Sequence, residues 1–172
     1  MYQDYKDLLC AFHAHGVKYL IVGGYAVTFH AQPRFTKDID FFIRADTANA
    51  QAVYDALAEF GAPLDNIRAQ DFADPSNFFR FGHDPRGVDI LPSLPGVDFD
   101  AAWERRVESV VDAATGLQAV FISRDDLIAA KLASGRIRDL ADVEDLRAAA
   151  QSLEATRAKQ QRQETKPGGP GQ

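Results

Sequence analysis

This 172-residue sequence has a single cysteine, no long apolar run and no excess of basic residues. Its single cysteine, Cys10, excludes an intrachain disulfide and a zinc site built from several thiolates. No apolar run approaches the roughly 18 residues of a membrane span, and the polar start of the chain is unlike a signal peptide. We therefore expect a cytoplasmic protein with no membrane partner.

The charge balance limits the ligands that the protein could bind. Lys and Arg number 19 against 25 Asp and Glu, which gives a net charge of −6. Residues 148–172 hold four basic and two acidic side chains, a net of +2, so the rest of the chain carries −8. A surface that tracks duplex phosphates is normally basic. This balance argues against general binding of duplex DNA, and it permits a small anionic ligand or a local RNA contact if metal ions neutralise the acids.

The remaining composition is that of a globular protein, with 46% hydrophobic and 26% charged residues. Hydrophobic periodicity is lost after about residue 151, and the last residues are rich in glycine and proline. We predict one folded domain over residues 1–150, followed over residues 151–172 by a frayed helix end and a disordered tail.

Helix and strand patterns alternate irregularly along the domain, which predicts an α/β or α+β fold with a small mixed sheet flanked by helices. Predicted strands cover residues 18–22, 38–43, 78–81, 88–91 and 118–122. Predicted helices cover residues 2–15, 25–30, 48–60, 98–105, 124–134 and 139–150. Ser123 and Asp126 have the spacing of a helix cap, and Cys10 is expected to be buried on the first helix.

The double glycine Gly23-Gly24 follows the first predicted strand and is predicted to form a tight turn before a helix. Glycines at such a place leave backbone N–H groups open at the positive end of the helix, where a phosphate can bind. Taken alone, a Gly-Gly pair is more often an ordinary turn.

Three acids have the spacing of a metal site. Asp38 and Asp40 are two residues apart on a predicted strand and therefore project to the same side, and Asp89 lies between apolar residues on a later strand. Hard oxygen ligands suit Mg²⁺ bridging to a substrate phosphate, and convergence of the three acids would suit in-line nucleotidyl transfer. The ordinary alternative for an Asp-x-Asp pair is a solvated strand end.

The combination resembles the signature of the polymerase-beta-like nucleotidyltransferase superfamily. Residues 22–26 and 34–40, with Gly23-Gly24 and Asp38-Ile39-Asp40, look like the small nucleotidyltransferase-fold proteins related to AbiEii-type toxins. Residues 126–131 and 135–142 are similar to a late block of the same proteins that contains a lysine, an arginine and two aspartates. The resemblance covers about residues 19–146.

This resemblance implies a nucleotidyltransferase fold and a set of site residues. Asp38, Asp40 and Asp89 would be catalytic and would bind Mg²⁺, or Mn²⁺ in its place. The nucleoside triphosphate and its acceptor would be bound by Gly23, Gly24, Arg34, Lys37, Lys131, Asp139 and Asp142. Many active members carry Gly-Ser where this chain has Gly23-Gly24.

Several of these residues also have simpler explanations. Arg34 and Lys37 could pair with the acids instead of contacting a nucleotide, and Lys131 could extend along a helix surface to water. Arg136, Asp139 and Asp142 could form an ordinary set of salt bridges at a helix start. The phenylalanines at 78, 79 and 81 are expected to be core rather than a platform for stacking bases.

The predicted function is transfer of a nucleoside monophosphate from a nucleoside triphosphate to an acceptor hydroxyl. The resemblance implies a toxin–antitoxin or phage-defence setting, with tRNA or protein as acceptor and a cognate antitoxin as possible partner. Two alternatives stay open. One is nucleotidylation of a small molecule such as an antibiotic, and the other is a catalytically silent module that binds a nucleotide or a partner.

Overall fold

The computed structural model describes residues 1–33, 35–83 and 86–164. These residues form six strands, six α-helices and a 3-10 helix at Ala69–Ala73. The strands are β1 Tyr19–Val22, β2 Ile39–Ile43, β3 Phe79–His83, β4 Arg86–Leu91, β5 Val107–Asp112 and β6 Leu117–Phe121. The α-helices are α1 Gln3–Ala14, α2 Gly23–His30, α3 Thr47–Phe60, α4 Phe99–Glu104, α5 Arg124–Ser134 and α6 Ile137–Glu164. The predicted fold class, a mixed sheet with flanking helices, is confirmed.

All six strands belong to one sheet, in the order β3-β4-β2-β1-β6-β5. Strands β4 and β2 are parallel, as are β1 and β6, whereas the β3–β4, β2–β1 and β6–β5 pairs are antiparallel. Helix α1 packs on α3, and α2 packs on α5 and α6 as well as on β1 and β2. The start of α2 and the start of β2 therefore meet near the centre of the sheet.

Strand β2 is the apolar centre of the fold. Ile39, Phe41 and Ile43 are inaccessible to solvent, and Phe42 is almost so. The ring of Phe41 packs edge-on against Phe12 at 5.1 Å between centroids. Truncating such a ring to alanine costs about 3–5 kcal/mol, so the strand that carries Asp40 is firmly fixed.

Local sequence signals set several helix ends as predicted. Helix α3 ends at Gly61, which has a left-handed φ of 85°. Helix α5 begins at Ser123, whose side chain accepts a hydrogen bond from the Asp126 backbone N–H at 3.1 Å, and it ends at Gly135 with a φ of 65°. Each glycine supplies a conformation that other residues adopt only at a cost.

The structure departs from the sequence predictions at four places. Strand β5 was not predicted, because this edge strand is only partly buried and its Val110 is exposed. Gly23 and Gly24 form the first turn of α2 instead of a separate turn. Cys10 is exposed, since α1 buries the face with Tyr5, Leu8, Leu9 and Phe12.

The fourth departure is the end of the last helix, which was predicted near residue 150. Instead, α6 continues to Glu164, and residues 151–161 are helical and exposed. The rest of the predicted tail, residues 165–172, lies outside the described residues. Over the part of the chain that the structure describes, no helix is both long and apolar enough to cross a membrane.

Candidate active site

Strand register places three of the charged side chains in a row. Asp40 on β2 is the direct partner of Asp89 on the parallel strand β4, and Asp89 is the direct partner of Arg80 on β3. Residues that face each other across neighbouring strands project to the same side of a sheet. The order of side chains across three strands is therefore guanidinium, carboxylate, carboxylate.

Asp38 lies two residues before Asp40 and faces a glycine on the neighbouring strand. A Cβ built at Gly87 would lie 3.0 Å from Cγ of Asp38 and closer still to its Oδ1. Any side chain at Gly87 would displace this carboxylate. The sequence analysis left Gly87 between two predicted strands and gave it no role at the site, because nothing in the sequence reveals which residue lies opposite Asp38.

Gly23 admits the second carboxylate in the same way. A Cβ at Gly23 would lie 2.6 Å from Cγ of Asp40, and the residue has a left-handed φ of 60°. Its neighbour Gly24 is buried in the first turn of α2, and Val22, the N-cap residue, supplies no capping side chain. The first backbone N–H groups of α2 therefore have no capping side chain as a partner.

A buried tyrosine fixes the backbone on which the acids stand. The hydroxyl of Tyr5, on α1, donates to the carbonyl oxygens of Lys37 at 2.8 Å and of Gly87 at 3.0 Å. The first carbonyl lies in the segment that leads into β2, directly before Asp38, and the second lies on β4, opposite Asp38. Burial, followed by the charges of Tyr25 and Asp38, raises the pKa of Tyr5, so the hydroxyl keeps its proton as the donor. The sequence analysis missed this role.

The carboxylates of Asp38, Asp40 and Asp89 repel one another at a partly buried position. Burial, followed by the charges of Asp89 and Asp38, raises the pKa of Asp40 to about 7, although Arg80 and Lys131 act in the opposite direction. Like charges and desolvation both disfavour the ionised acid. The cations of the chain thus do not fully neutralise this part of the site.

Arg80 binds Asp89 through two hydrogen bonds. Its Nε and Nη2 each donate to one carboxylate oxygen of Asp89 at 2.5 Å, and Nη2 lies 4.0 Å from Oδ2 of Asp38. The side chain of Asp89 is 7% exposed and that of Arg80 is 58% exposed. The arginine therefore covers the buried acid from the solvent side. The contact follows from the β3–β4 register, which the sequence analysis did not use.

Lys131 is buried between two acids of the last helix. Its Nζ lies 2.7 Å from Oδ2 of Asp142 and 3.2 Å from Oδ1 of Asp139, and this links α5 to α6. Burial would raise the pKa of Asp139, but hydrogen bonds from Ser134 and Lys131 and the charges of Lys131 and Arg136 hold it below its usual range. The alternative in which Lys131 extends to water is wrong.

These residues line one cleft of about 600 Å³. Of the candidates from the sequence, the cleft brings together Gly23, Gly24, Lys37, Asp38, Asp40, Asp89, Lys131, Asp139 and Asp142. Arg34 lies outside the described residues. The cleft also contains residues that the sequence analysis did not assign to a site, namely Phe35, Thr36, Arg80, Leu91 and Arg138, together with two that it weighed as structural, Phe78 and Arg136.

The donor chemistry suits a hard cation, but the three acids are not arranged around a shared one. Within residues 1–33, 35–83 and 86–164, no group of three or more His, Cys, Asp or Glu side chains is placed to hold a metal ion. Both oxygens of Asp89 are occupied by Arg80. Asp38 and Asp40, each set against a glycine, are the carboxylates that best fit Mg²⁺.

Comparison with known proteins assigns the chain to a family. Residues 5–155 match the sequence profile of a family described as nucleotidyltransferase of unknown function (DUF6036). The chain belongs to this family. The match begins at Tyr5 and ends in α6, so it includes every site residue named above. No curated protein matches the chain.

Proposed function

We propose that the protein is a Mg²⁺-dependent nucleotidyltransferase that moves a nucleoside monophosphate from a nucleoside triphosphate to an acceptor hydroxyl. The observation that carries the proposal is the register of Asp40 with Asp89 on parallel neighbouring strands, at the glycine start of α2. Asp38 lines the same cleft. Membership of a nucleotidyltransferase family supports the reaction class.

Asp38 and Asp40 are the proposed metal ligands. Burial first, and then the negative charges of Asp89 and Asp38, raise the pKa of Asp40. Arg80 and Lys131 do not fully offset these effects, and a divalent cation would stabilise the ionised carboxylate. Mn²⁺ could take the same oxygen ligands. When bound, the ion would offset charge on the triphosphate and on the transition state.

The triphosphate is proposed to bind at the start of α2. Gly23 and Gly24 allow close approach to backbone N–H groups at the positive end of this helix. Lys37 and Lys131 line the same cleft and supply positive charge, and Arg34 is the third basic candidate from the sequence. Because two carboxylates already contact Lys131, its main contribution would be to place Asp139 and Asp142 at the cleft wall.

In the proposed reaction, the acceptor oxygen bonds to the α-phosphorus, the bond to the bridging oxygen of the β-phosphate breaks, and pyrophosphate leaves. The hydroxyl proton passes to a carboxylate. A carboxylate with a depressed pKa is a weak proton acceptor, so Asp139 is suited to orienting the acceptor rather than deprotonating it. Asp89 is the candidate base or third metal ligand, and Arg80 must release one of its oxygens for either role.

The acceptor class is proposed to be tRNA or a protein hydroxyl, and the setting a toxin–antitoxin or phage-defence module with a cognate antitoxin. This setting rests on the resemblance of residues 22–26 and 34–40 to AbiEii-related proteins. The net charge of −6 supports a protein or small acceptor over a long nucleic acid. A small molecule, such as an antibiotic, is the other acceptor that we consider.

Two observations favour a second candidate, a catalytically silent module of the same fold. Arg80 already neutralises Asp89, as a metal ion would, and Gly24 stands where many active relatives carry serine. Such a module would bind a nucleotide or a partner protein without transferring anything.

Thermal melts and a labelling assay together test the proposal. Tm is measured for the protein alone, with Mg²⁺, with each of the four nucleoside triphosphates, and with Mg²⁺ and a triphosphate together. Because ligands that bind the folded state stabilise it, Tm should rise most when Mg²⁺ and a triphosphate are both present. Each labelled triphosphate is then incubated with the protein and cellular RNA, protein or small molecules. Label in one fraction supports transfer, a shift without label supports the silent module, and no shift or label contradicts both.

A further inference from the structure

Phe78, like Phe35, is an exposed aromatic residue in a largely polar cleft. Its side chain is 62% exposed, whereas the two other phenylalanines of this stretch turn inward: Phe81 is 8% exposed and Phe79 packs edge-on against Phe72 at 5.6 Å. The expectation that all three are core is therefore wrong for Phe78. A ring left in water costs free energy that a core position would recover, which makes its surroundings informative.

The ring is held next to the acids through Arg80. The Arg80 Cζ lies 5.9 Å from the centroid of the Phe78 ring, and the same guanidinium binds Asp89 through both of its oxygens. Phe78 precedes β3 by one residue, and Arg80 is the second residue of that strand. The guanidinium is therefore fixed at one end by a carboxylate and lies beside an aromatic ring at the other.

Phe78 also borders a second cavity that opens beside the cleft. This cavity has a volume of about 270 Å³, and its walls include Ile67, Phe72, Phe79 and Pro92 together with the polar residues Asp71 and Asn77. Phe78 lines both spaces. The apolar cavity and the acidic cleft are therefore neighbours, with Phe78 in the wall of each.

We propose that Phe78 stacks on the base of the nucleoside triphosphate and that the apolar cavity accommodates this base. The inference rests on the proposed function, which places the phosphates among Gly23, Asp38 and Asp40. A nucleobase has an aromatic face for the ring and polar edges for Asp71 and Asn77. Stacking of this kind tolerates every base, since each has a π face.

Binding of the full chain in Mg²⁺ by calorimetry, with two probes, tests the proposal. The probes are inorganic tripolyphosphate, which has no base, and the nucleoside triphosphate that binds the parent most tightly. Phe78→Ala should weaken nucleotide binding about tenfold or more, as expected for loss of one stacked base, and leave tripolyphosphate binding within about twofold. Phe78→Trp should restore nucleotide binding, while Phe78→Leu, which keeps apolar bulk without an aromatic face, should not.

Phe35→Ala is the matched control, because Phe35 is 70% exposed and lines the same cleft but not the apolar cavity. It should leave the ratio of the two affinities unchanged. The proposal would be overturned if Phe78→Ala and the parent bound the nucleotide equally well. It would also be overturned if nucleotide affinity fell only in Phe35→Ala, or if Phe78→Ala lost only the binding of the acceptor. If the parent binds tripolyphosphate but no nucleotide, the proposed stacking of the base is wrong and the proposed phosphate site stands. If the parent binds neither probe, the proposed function is contradicted as well.

Discussion

Gly23 and Asp40 are so close that the carboxylate of Asp40 occupies the space where a side chain at Gly23 would begin. A Cβ there would lie 2.6 Å from Asp40 Cγ, and Gly23 also has a left-handed φ of 60°. The helix start that is proposed to bind phosphate and the acid that is proposed to bind metal are therefore built as one unit. A side chain at Gly23 must displace the carboxylate of Asp40.

Gly23→Ala should destabilise the protein and weaken binding of Mg²⁺ and nucleotide. Gly16→Ala is the matched control, because Gly16 has nearly the same φ, 64°, with no atom within 4 Å of its Cβ position. The left-handed backbone alone should cost Gly16→Ala about 1 kcal/mol, and the overlap should cost Gly23→Ala at least about 1 kcal/mol more. Urea unfolding and calorimetry measure both effects. Equal losses of stability, with unchanged ligand binding, would show that the carboxylate can move aside.

Arg80→Gln should destabilise the metal-free protein and increase its stabilisation by Mg²⁺. The substitution leaves Asp89, 7% exposed, without its guanidinium. An unsatisfied buried polar group costs about 1–3 kcal/mol, and a charged one costs more. Asp89 is then available to a cation. The readout is Tm with EDTA and with a series of Mg²⁺ concentrations. Arg86→Gln, which removes an exposed pair with Asp4, is the control and should change neither value much. A smaller Mg²⁺ shift in Arg80→Gln than in the parent would mean that Arg80 and the metal do not compete.

Without metal, ionisation of Asp40 should make the protein less stable as pH rises. The folded-state pKa of Asp40 is raised to about 7 from an ordinary value of 3.8, so the folded state holds its proton over an interval where the unfolded state has lost it. The contribution of protonated Asp40 to the free energy of unfolding is complete below pH 3.8 and is lost as pH rises to about 7. In EDTA, Asp40→Asn should therefore be more stable than the parent at pH 8, and the difference should shrink toward pH 4.

Asp126 provides a control of opposite sign for this pH series. Burial would raise its pKa, but hydrogen bonds from Arg105 and Ser123 lower it, so its contribution is present above pH 3.8 and is lost below that value. Asp126→Asn should be less stable than the parent at neutral pH. If Asp40→Asn is likewise less stable than the parent at pH 8, Asp40 is a structural ion-pair partner instead of a strained acid.

Gly23-Gly24 followed by Asp38 and Asp40 allowed most of the candidate site to be predicted from the sequence. The other residues of the site are brought there by the register of the strands. Spacing alone placed Asp38 and Asp40 on one strand face, and the left-handed glycines closed α3 and α5 as expected. Gly87, Tyr5 and Arg80 were missed because their roles arise only when β4, α1 and β3 are placed beside β2. The sequence separation between such partners, 82 residues for Tyr5 and Gly87, leaves no local signal.

Lys131→Met should destabilise the protein by about 3 kcal/mol, because it removes the cation that lies between the buried carboxylates of Asp139 and Asp142. Arg136, which is exposed, still pairs with Asp139. The triple variant that adds Asp139→Asn and Asp142→Asn should regain most of the stability, since no unpaired charge remains. Urea unfolding measures the cycle. If the three residues also serve the reaction, the triple variant stays folded but loses transfer. Full activity in a folded triple variant would restrict them to joining α5 and α6.

The acids themselves are tested most directly by Asp38→Asn combined with Asp40→Asn, which keeps side-chain size and removes both charges. The variant should fold at least as well as the parent, because these acids repel each other and Asp89. Both proteins are incubated with labelled nucleoside triphosphates, Mg²⁺ and fractionated cellular RNA, protein and small molecules. The account predicts that the parent labels one fraction in a Mg²⁺-dependent way and that the folded variant labels none; equal labelling by the variant would contradict it.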